Sequence, residues 1–415
     1  MRTLLSLLIA AAVLLPGAAS LGATPSAPLG SIRALPTPAA PGSGEPCLAV
    51  SPEGAVFMSW FEKLEKGHAL KVARLEGSRW SKPSTVAAGD SFFVNWADFP
   101  SLVVVGKSHL AIAWPWKHGG GTYAYDVRIA QSKDGGRTWG APTIPHRDDT
   151  PTEHGFISLV PARGGVRAIW LDGRKYMEKA TAAKPNAKGG HDEEHGGEMT
   201  LRSAWLGPDG TLAEEAELDG RACDCCQTGA AVTANGVLVA YRDRDDQEIR
   251  DISAVRLENG VWTEPAPVAV DGWKSPGCPV NGPAVDAIGQ KVVAAWFALV
   301  GDVARVQASF SNDGGRTFGV PVPIPSADPL GRTDVLMLED GSALVMWLDA
   351  DGTQARIQAA RVTGREAGET MTVARTSAAR ASGFPRMVKS GKRVIFAWTE
   401  AGTRRQVRVA AADLR

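Results

Sequence analysis

The chain alternates short apolar runs with turn-rich polar stretches, and seven of the runs end the same way. Phe57-Met58-Ser59-Trp60, Ala111-Ile112-Ala113-Trp114 and Arg167-Ala168-Ile169-Trp170 close on tryptophan, as do Val293-Ala294-Ala295-Trp296, Leu344-Val345-Met346-Trp347 and Ile395-Phe396-Ala397-Trp398. Leu238-Val239-Ala240-Tyr241 is the variant with tyrosine. The terminal aromatics are separated by 54, 56, 71, 55, 51 and 51 residues. A period of this size marks a repeat architecture rather than a single irregular core.

Within each unit the order also recurs. A short strand such as Leu48-Ala49-Val50 or Ser101-Leu102-Val103-Val104 leads through a glycine-bearing turn into the aromatic strand. A third strand alternates polar and apolar positions, as in Leu70-Lys71-Val72-Ala73-Arg74, and a fourth ends the unit. Four antiparallel strands per unit describe a propeller blade. The fold class is therefore all-β, a propeller of seven blades, with six plus an irregular unit as the alternative. The last unit reaches Arg415 after three strands, and Ser31 to Leu35 could supply its fourth and remove an open edge.

Two third strands end in one turn pattern. Ser132, Asp134, Gly136, Thr138 and Trp139 recur as Ser311, Asp313, Gly315, Thr317 and Phe318. Glycine permits positive φ, and an aspartate carboxylate can accept hydrogen bonds from turn amides. The repeated Ser-x-Asp-Gly-Gly-x-Thr-aromatic motif resembles the Asp-box of the sialidase-like (BNR repeat) β-propellers, which include secreted bacterial proteins with exo-α-sialidase activity. The turn lies between strands three and four, so it belongs to the end of the blade opposite the start of strand one.

Composition adds a compartment and removes some partners. Arg2, the apolar run Leu4 to Leu15 and Gly17-Ala18-Ala19-Ser20 read as a secretory signal over residues 1–20. The apolar run is short for a transmembrane anchor. Residues 21–44 are rich in Pro and Ala, and the propeller then occupies 45–415, with a polar loop insertion at 175–198. The expected location is periplasmic or secreted, where disulfides persist. With 45 basic and 45 acidic residues the net charge is zero, which gives no field to draw nucleic acid. The expected partner is a glycan or acidic sugar, with a monomeric chain and no nucleic acid.

Strand direction sorts the polar residues by face. The starts of the first strands and the ends of the aromatic strands share one end of the blades. That end collects Glu45, Asp98, His154, Cys278, Arg332 and Asp334 from the former, and Glu62, His118, Asp172, Arg174, Asp349 and Glu400 from the latter. The fourth unit contributes two unusual clusters, Arg221-Ala222-Cys223-Asp224-Cys225-Cys226 and Arg242-Asp243-Arg244-Asp245-Asp246-Gln247-Glu248.

Five cysteines occur, and aligning units places Cys225 and Cys278 at equivalent positions of adjacent blades. One reading is a disulfide from Cys278 to one of the Cys223–Cys226 group, with an odd thiol left over. The other is a thiolate-rich site for copper or zinc held by Cys223, Cys225, Cys226 and Cys278, approached by His191, His195 and Met199. No other cofactor is indicated.

The family resemblance implies three arginines gripping a sugar carboxylate, a tyrosine nucleophile activated by glutamate, and an aspartate acid/base. Carried over residue by residue, Arg174, Arg242 or Arg244, and Arg332 are the arginine candidates. For a different glycosidase or lyase on the same fold, Asp172, Asp243 or Glu248 could serve as acid or base. The family's Arg-Ile-Pro motif is replaced by Glu45-Pro46-Cys47. Among Tyr123, Tyr125, Tyr176 and Tyr241 none sits late in the chain, and Tyr241 takes a tryptophan's place in the core. Two function classes follow: a sialidase-type glycosidase or other glycan-acting enzyme, and a non-catalytic binding propeller with a cysteine-rich metal site.

Overall fold

The computed structural model describes residues 27–119, 121–180 and 197–415. The signal segment, His191 and His195 lie outside the described residues. Seven antiparallel sheets form a closed ring, and each aromatic strand is internal to its own sheet. That placement excludes the six-bladed alternative. The innermost strands are Ser43–Val50, Ser101–Val104, His154–Ala162, Gly229–Thr233, Ala284–Ile288, Pro329–Met337 and Arg386–Ser390. Each neighbours the next, and the last returns to the first. Around the axis they leave only a channel of about 140 Å³.

The aromatic repeat is the core. Trp60, Trp114, Trp170, Trp296 and Trp347 are fully buried, and Tyr241 takes the same role in the fourth blade. Each such ring removes some 150–250 Å² from water, and they pack with the Ala, Val, Ile and Leu of the neighbouring strands. Two of the indoles are satisfied by a carboxylate two residues on. Trp60 Nε1 donates to Glu62 at 3.1 Å and Trp170 Nε1 to Asp172 at 2.8 Å. Part of the polar ring read from the sequence therefore serves the core.

The ring closes through the N-terminal segment. Arg33–Leu35 pairs antiparallel with Gln406–Asp413, Ala34 lying opposite Ala410. The first described strand and the last thus share the seventh blade, and that blade's edge is occupied. The second blade departs from the pattern. It has three strands, Ser101–Val104, Leu110–Lys117 and Tyr125–Ser132, with Thr143 alone bridging Ile129 in place of a fourth.

The two Asp-box turns are superimposable in their bonding. Ser132 Oγ accepts the Gly136 amide at 2.9 Å and donates to Asp134 at 2.8 Å; Ser311 does the same with Gly315 and Asp313 at 2.9 and 2.7 Å. Thr138 and Thr317 donate amide and hydroxyl to the aspartates. Burial opposes ionisation of Asp313, but these donors outweigh it and hold its carboxyl down at about 2. Register places the turn away from the opposite mouth: Leu110 pairs with Ser132 at one end of the strand and Lys117 with Tyr125 at the other.

Inner strands enter the ring with a bend. Glu45, Phe156, Val280 and Arg332 all have φ near +50°, and Gly383 has φ 63°. Register breaks follow at Gly44/Cys47, Gly155/Ser158 and Gly331/Asp334. Such bulges re-aim side chains at the rim of a sheet, and here they set which residues face the mouth.

Candidate functional site

The mouth opposite the Asp-box turns holds a cavity of about 760 Å³ over blades two to four. Phe93, Trp96, Tyr123 and Tyr176 line it, and Tyr125 and Glu153 lie among them. Aromatic walls with a few converging polar groups are the usual make-up of a small-ligand or sugar cavity.

Tyr125 begins the third strand of blade two, and Glu153 directly precedes the inner strand of blade three. A backbone bridge joins the two residues across the seam, and the Tyr125 amide donates to the Thr152 carbonyl at 3.2 Å. Phe93 stacks on the Tyr125 ring at 4.1 Å. The Tyr125 hydroxyl lies 2.6 Å from Glu153 Oε1 and 3.0 Å from Asp98 Oδ2. Asp98 is fixed in turn by the Phe156 amide at 3.0 Å. Gly155 is obligatory, because a Cβ there would stand 2.2 Å from Asp98 Oδ2 and 2.7 Å from the Tyr125 hydroxyl.

One hydroxyl proton faces two carboxyl groups, so a second proton is needed to relieve them. Burial raises Glu153 to about 8 despite the hydrogen bond from Tyr125, and the charges of Asp98 and Asp224 add to the rise. Burial likewise lifts Asp98 to about 7 against the bonds from Tyr125 and Phe156. The Tyr125 hydroxyl is held well above its usual value by burial and by both carboxylates. Near neutral pH this trio holds an acidic proton at the edge of a cavity, the property asked of a general acid.

The residues predicted from sequence are distributed differently. Asp172 is fully buried and accepts Trp170 Nε1 together with a bidentate pair from Arg174 at 2.8 and 2.7 Å. Arg174 also reaches Asp148 and Glu215, at 3.3 and 2.9 Å. Arg242, expected at the ligand face, is turned inward. Its guanidinium donates to the carbonyls of Arg250, Asn281 and Phe297 and lies 4.7 Å over Trp273. Arg332 is likewise buried, donating to Ser382 Oγ at 2.8 Å and to nearby carbonyls, with Trp96 stacked at 4.8 Å. Asp243 accepts from Ser253, and Arg244 pairs with Glu248 in a salt-bridged loop. A guanidinium must be desolvated to be buried, so backbone carbonyls take its donors; nothing in a linear sequence reveals that choice.

Cys225 and Cys278 form a disulfide across blades four and five, so neither offers a thiolate to a metal. Cys47, Cys223 and Cys226 are free and buried. Cys223 and Cys226 sulfurs lie 3.2 Å apart, and Arg250 Nη1 stands 3.2 Å from Cys223. Burial disfavours the Cys223 thiolate, yet the Cys226 hydrogen bond and the Arg250 charge prevail and bring it to about 7. Met199 is buried in an apolar cluster against which Cys225 also packs, and His195 lies outside the described residues.

Sequence reasoning placed Asp98 on the correct face but missed Tyr125 and Glu153. The available signal was Thr122-Tyr123-Ala124-Tyr125, an aromatic pair opening a third strand on the mouth side.

No family model matches the chain, and no curated protein matches it in sequence. Solved structures do. An ulvan lyase of a polysaccharide lyase family aligns with TM-score 0.58 at 12% identity, covering 92% of this chain and 96% of the lyase. The same type of enzyme bound to -[GlcA(1-4)Rha3S]- aligns with TM-score 0.55 at 13% identity, over 95% and 96%. The phage phi92 endosialidase aligns with TM-score 0.51 at 9% identity, over 93% of this chain and 69% of its own. The fold is that of a sialidase-like β-propeller. At these identities the likeness establishes the sialidase-like architecture and leaves the chemistry to the residues in the mouth.

Proposed function

We propose that this sialidase-like propeller is a secreted glycan-acting enzyme whose chemistry lies at Tyr125 and Glu153. The observation that carries the reading is the 2.6 Å contact of the Tyr125 hydroxyl with a Glu153 carboxyl raised to about 8, at an aromatic-lined mouth. Aromatic rings pack against the apolar faces of sugar rings, and a protonated carboxyl supplies a proton to a departing glycosidic oxygen. In that role Glu153 donates, Tyr125 relays, and Asp98 holds the hydroxyl in place. Glycan-acting neighbours of the same fold support the substrate class. The disulfide is consistent with an oxidising compartment.

The arginine grip of an exo-sialidase is not what the mouth offers. Arg174, Arg242 and Arg332 are paired within the fold, and Arg380 is the arginine that lines the cavity. One observation favours a binding-only alternative: the Tyr125 side chain is fully covered, with Phe93 stacked on it.

Incubating the protein with sialylated, uronate-containing and neutral polysaccharides separates the readings. New reducing ends mark hydrolysis, and new ultraviolet-absorbing unsaturated uronates mark elimination. Binding without either product supports the alternative, and neither binding nor product contradicts a glycan function.

A further inference from the structure

Tyr125 and Glu153 each have a neighbour facing the other way. Successive strand residues point to opposite faces, and Asp126 and His154 turn from the mouth into a cluster with His118, His146 and Asp148. His118 Nε2 lies 3.2 Å and His146 Nε2 3.5 Å from Asp126 Oδ1. The His146 and His154 rings stack at 3.8 Å with planes 2° apart. Donor atoms of His118, Asp126 and His154 lie within 4.8 Å of one another, as do those of His146, Asp148 and His154.

His146 Nδ1 lies 2.9 Å from Asp148 Oδ1, which leaves Nε2 as the other ring nitrogen to be partnered. That Nε2 is buried, has no hydrogen-bond partner and faces a carboxylate oxygen of Asp126. His154 Nδ1 stands 3.3 and 3.2 Å from the carbonyls of Tyr125 and Thr152, and its Nε2 faces Asp148 at 3.1 Å and Asp172 at 3.7 Å. Carboxylate oxygens of Asp126 and Asp148 and these ring nitrogens thus converge within a few ångströms of one another. Imidazoles with one carboxylate form a zinc-type donor set. An aspartate on the far nitrogen of a ligating histidine is the usual orienting partner. His118 is partly exposed and gives the ion a way in.

We propose that His118, Asp126 and His154 bind one zinc ion, with Asp148, which contacts both His146 and His154, as the positioning residue. The site is distinct from the cysteine cluster and does not depend on the glycan reading. Its role is to pin the two strands that present Tyr125 and Glu153.

The test is zinc titration of chelator-treated protein by calorimetry, with metal counting after dialysis. The expected result is one zinc per chain. Asp126→Asn with His118→Gln abolishes retention, and Asp148→Asn weakens affinity by about 10–100-fold. Cys223→Ser with Cys226→Ser leaves binding unchanged. Should the histidine variant not fold, cobalt substitution of the wild type decides: d–d bands without a thiolate charge-transfer band support the site. No stoichiometric zinc, or a thiolate-type cobalt spectrum, overturns it, and so does a metal lost only with the cysteines.

Discussion

The Tyr125 hydroxyl bridges Glu153 and Asp98 across the seam between the second and third blades, at 2.6 and 3.0 Å. The two carboxyl groups come from different loops and share one phenol, so each depends on the other's protonation. This arrangement ties the shape of the mouth to pH.

Folded-state values of about 8 for Glu153 and about 7 for Asp98 lie above the ordinary carboxyl range near 4. A raised value means the folded state binds the proton more tightly than the unfolded chain. The contribution is complete below about pH 4 and is lost as pH rises through 7 to 8. Glu45, raised to about 7 mainly by burial, acts in the same direction. Thermal midpoints measured from pH 5 to 9 should fall with rising pH, and Asp98→Asn with Glu153→Gln should flatten the slope. A wild-type midpoint that rises over that window would contradict the protonation assigned here.

Arg242→Ala should behave as a core mutation. It removes donors from three backbone carbonyls and uncovers Trp273, so a loss of ~3 kcal/mol or more is expected in urea unfolding. Arg242→Lys should not restore stability, because an ammonium cannot reproduce the planar fork. A variant of wild-type stability with altered ligand affinity would return Arg242 to the ligand face.

The Cys225–Cys278 bridge spans a sequence separation of 53. Chain entropy assigns such a loop about 4 kcal/mol, with typical values of 2–4. Cys278→Ser should lower the unfolding free energy by that order. Under denaturing conditions without reductant three thiols should alkylate, and after reduction all five. Five before reduction would remove the bridge from the account.

Gly136 and Gly315 share φ 84° in their turns, yet a Cβ would meet Leu110 at 3.7 Å in the first and Leu238 at 2.7 Å in the second. Both alanine variants bear the left-handed cost of roughly 1–2 kcal/mol. Gly315→Ala should unfold at the lower denaturant concentration. Equal midpoints would show that Leu238 yields freely.

The architecture was legible because it is periodic. Seven aromatic runs at a near-constant interval, two copies of one turn and alternating third strands each report on local geometry, and local geometry repeats. The bond between Arg33–Leu35 and the final strand could be anticipated from a missing edge. The site was less legible because it joins residues that sequence keeps apart. Asp98 was placed on the mouth face by strand direction alone. Tyr125 and Glu153 meet through a backbone bridge between residues of adjacent blades, after the chain has run through the Asp-box turn and back past Thr143. The arginines misled for a physical reason: Arg242 and Arg332 resemble ligand-gripping residues in spacing, but burial commits their donors to carbonyls. Cys278 was correctly matched to the fourth-blade cysteines because equivalent positions on adjacent blades are close in space.

Glu153 is proposed to deliver a proton to a bound glycan. The direct measurement is the turnover and affinity of Glu153→Gln beside wild type, on whichever polysaccharide the wild type consumes. A loss of about 10²–10⁴-fold in turnover with affinity retained is the expected outcome. Tyr125→Phe should fall in the same direction. Unchanged turnover in Glu153→Gln, in a variant that folds normally, would contradict it.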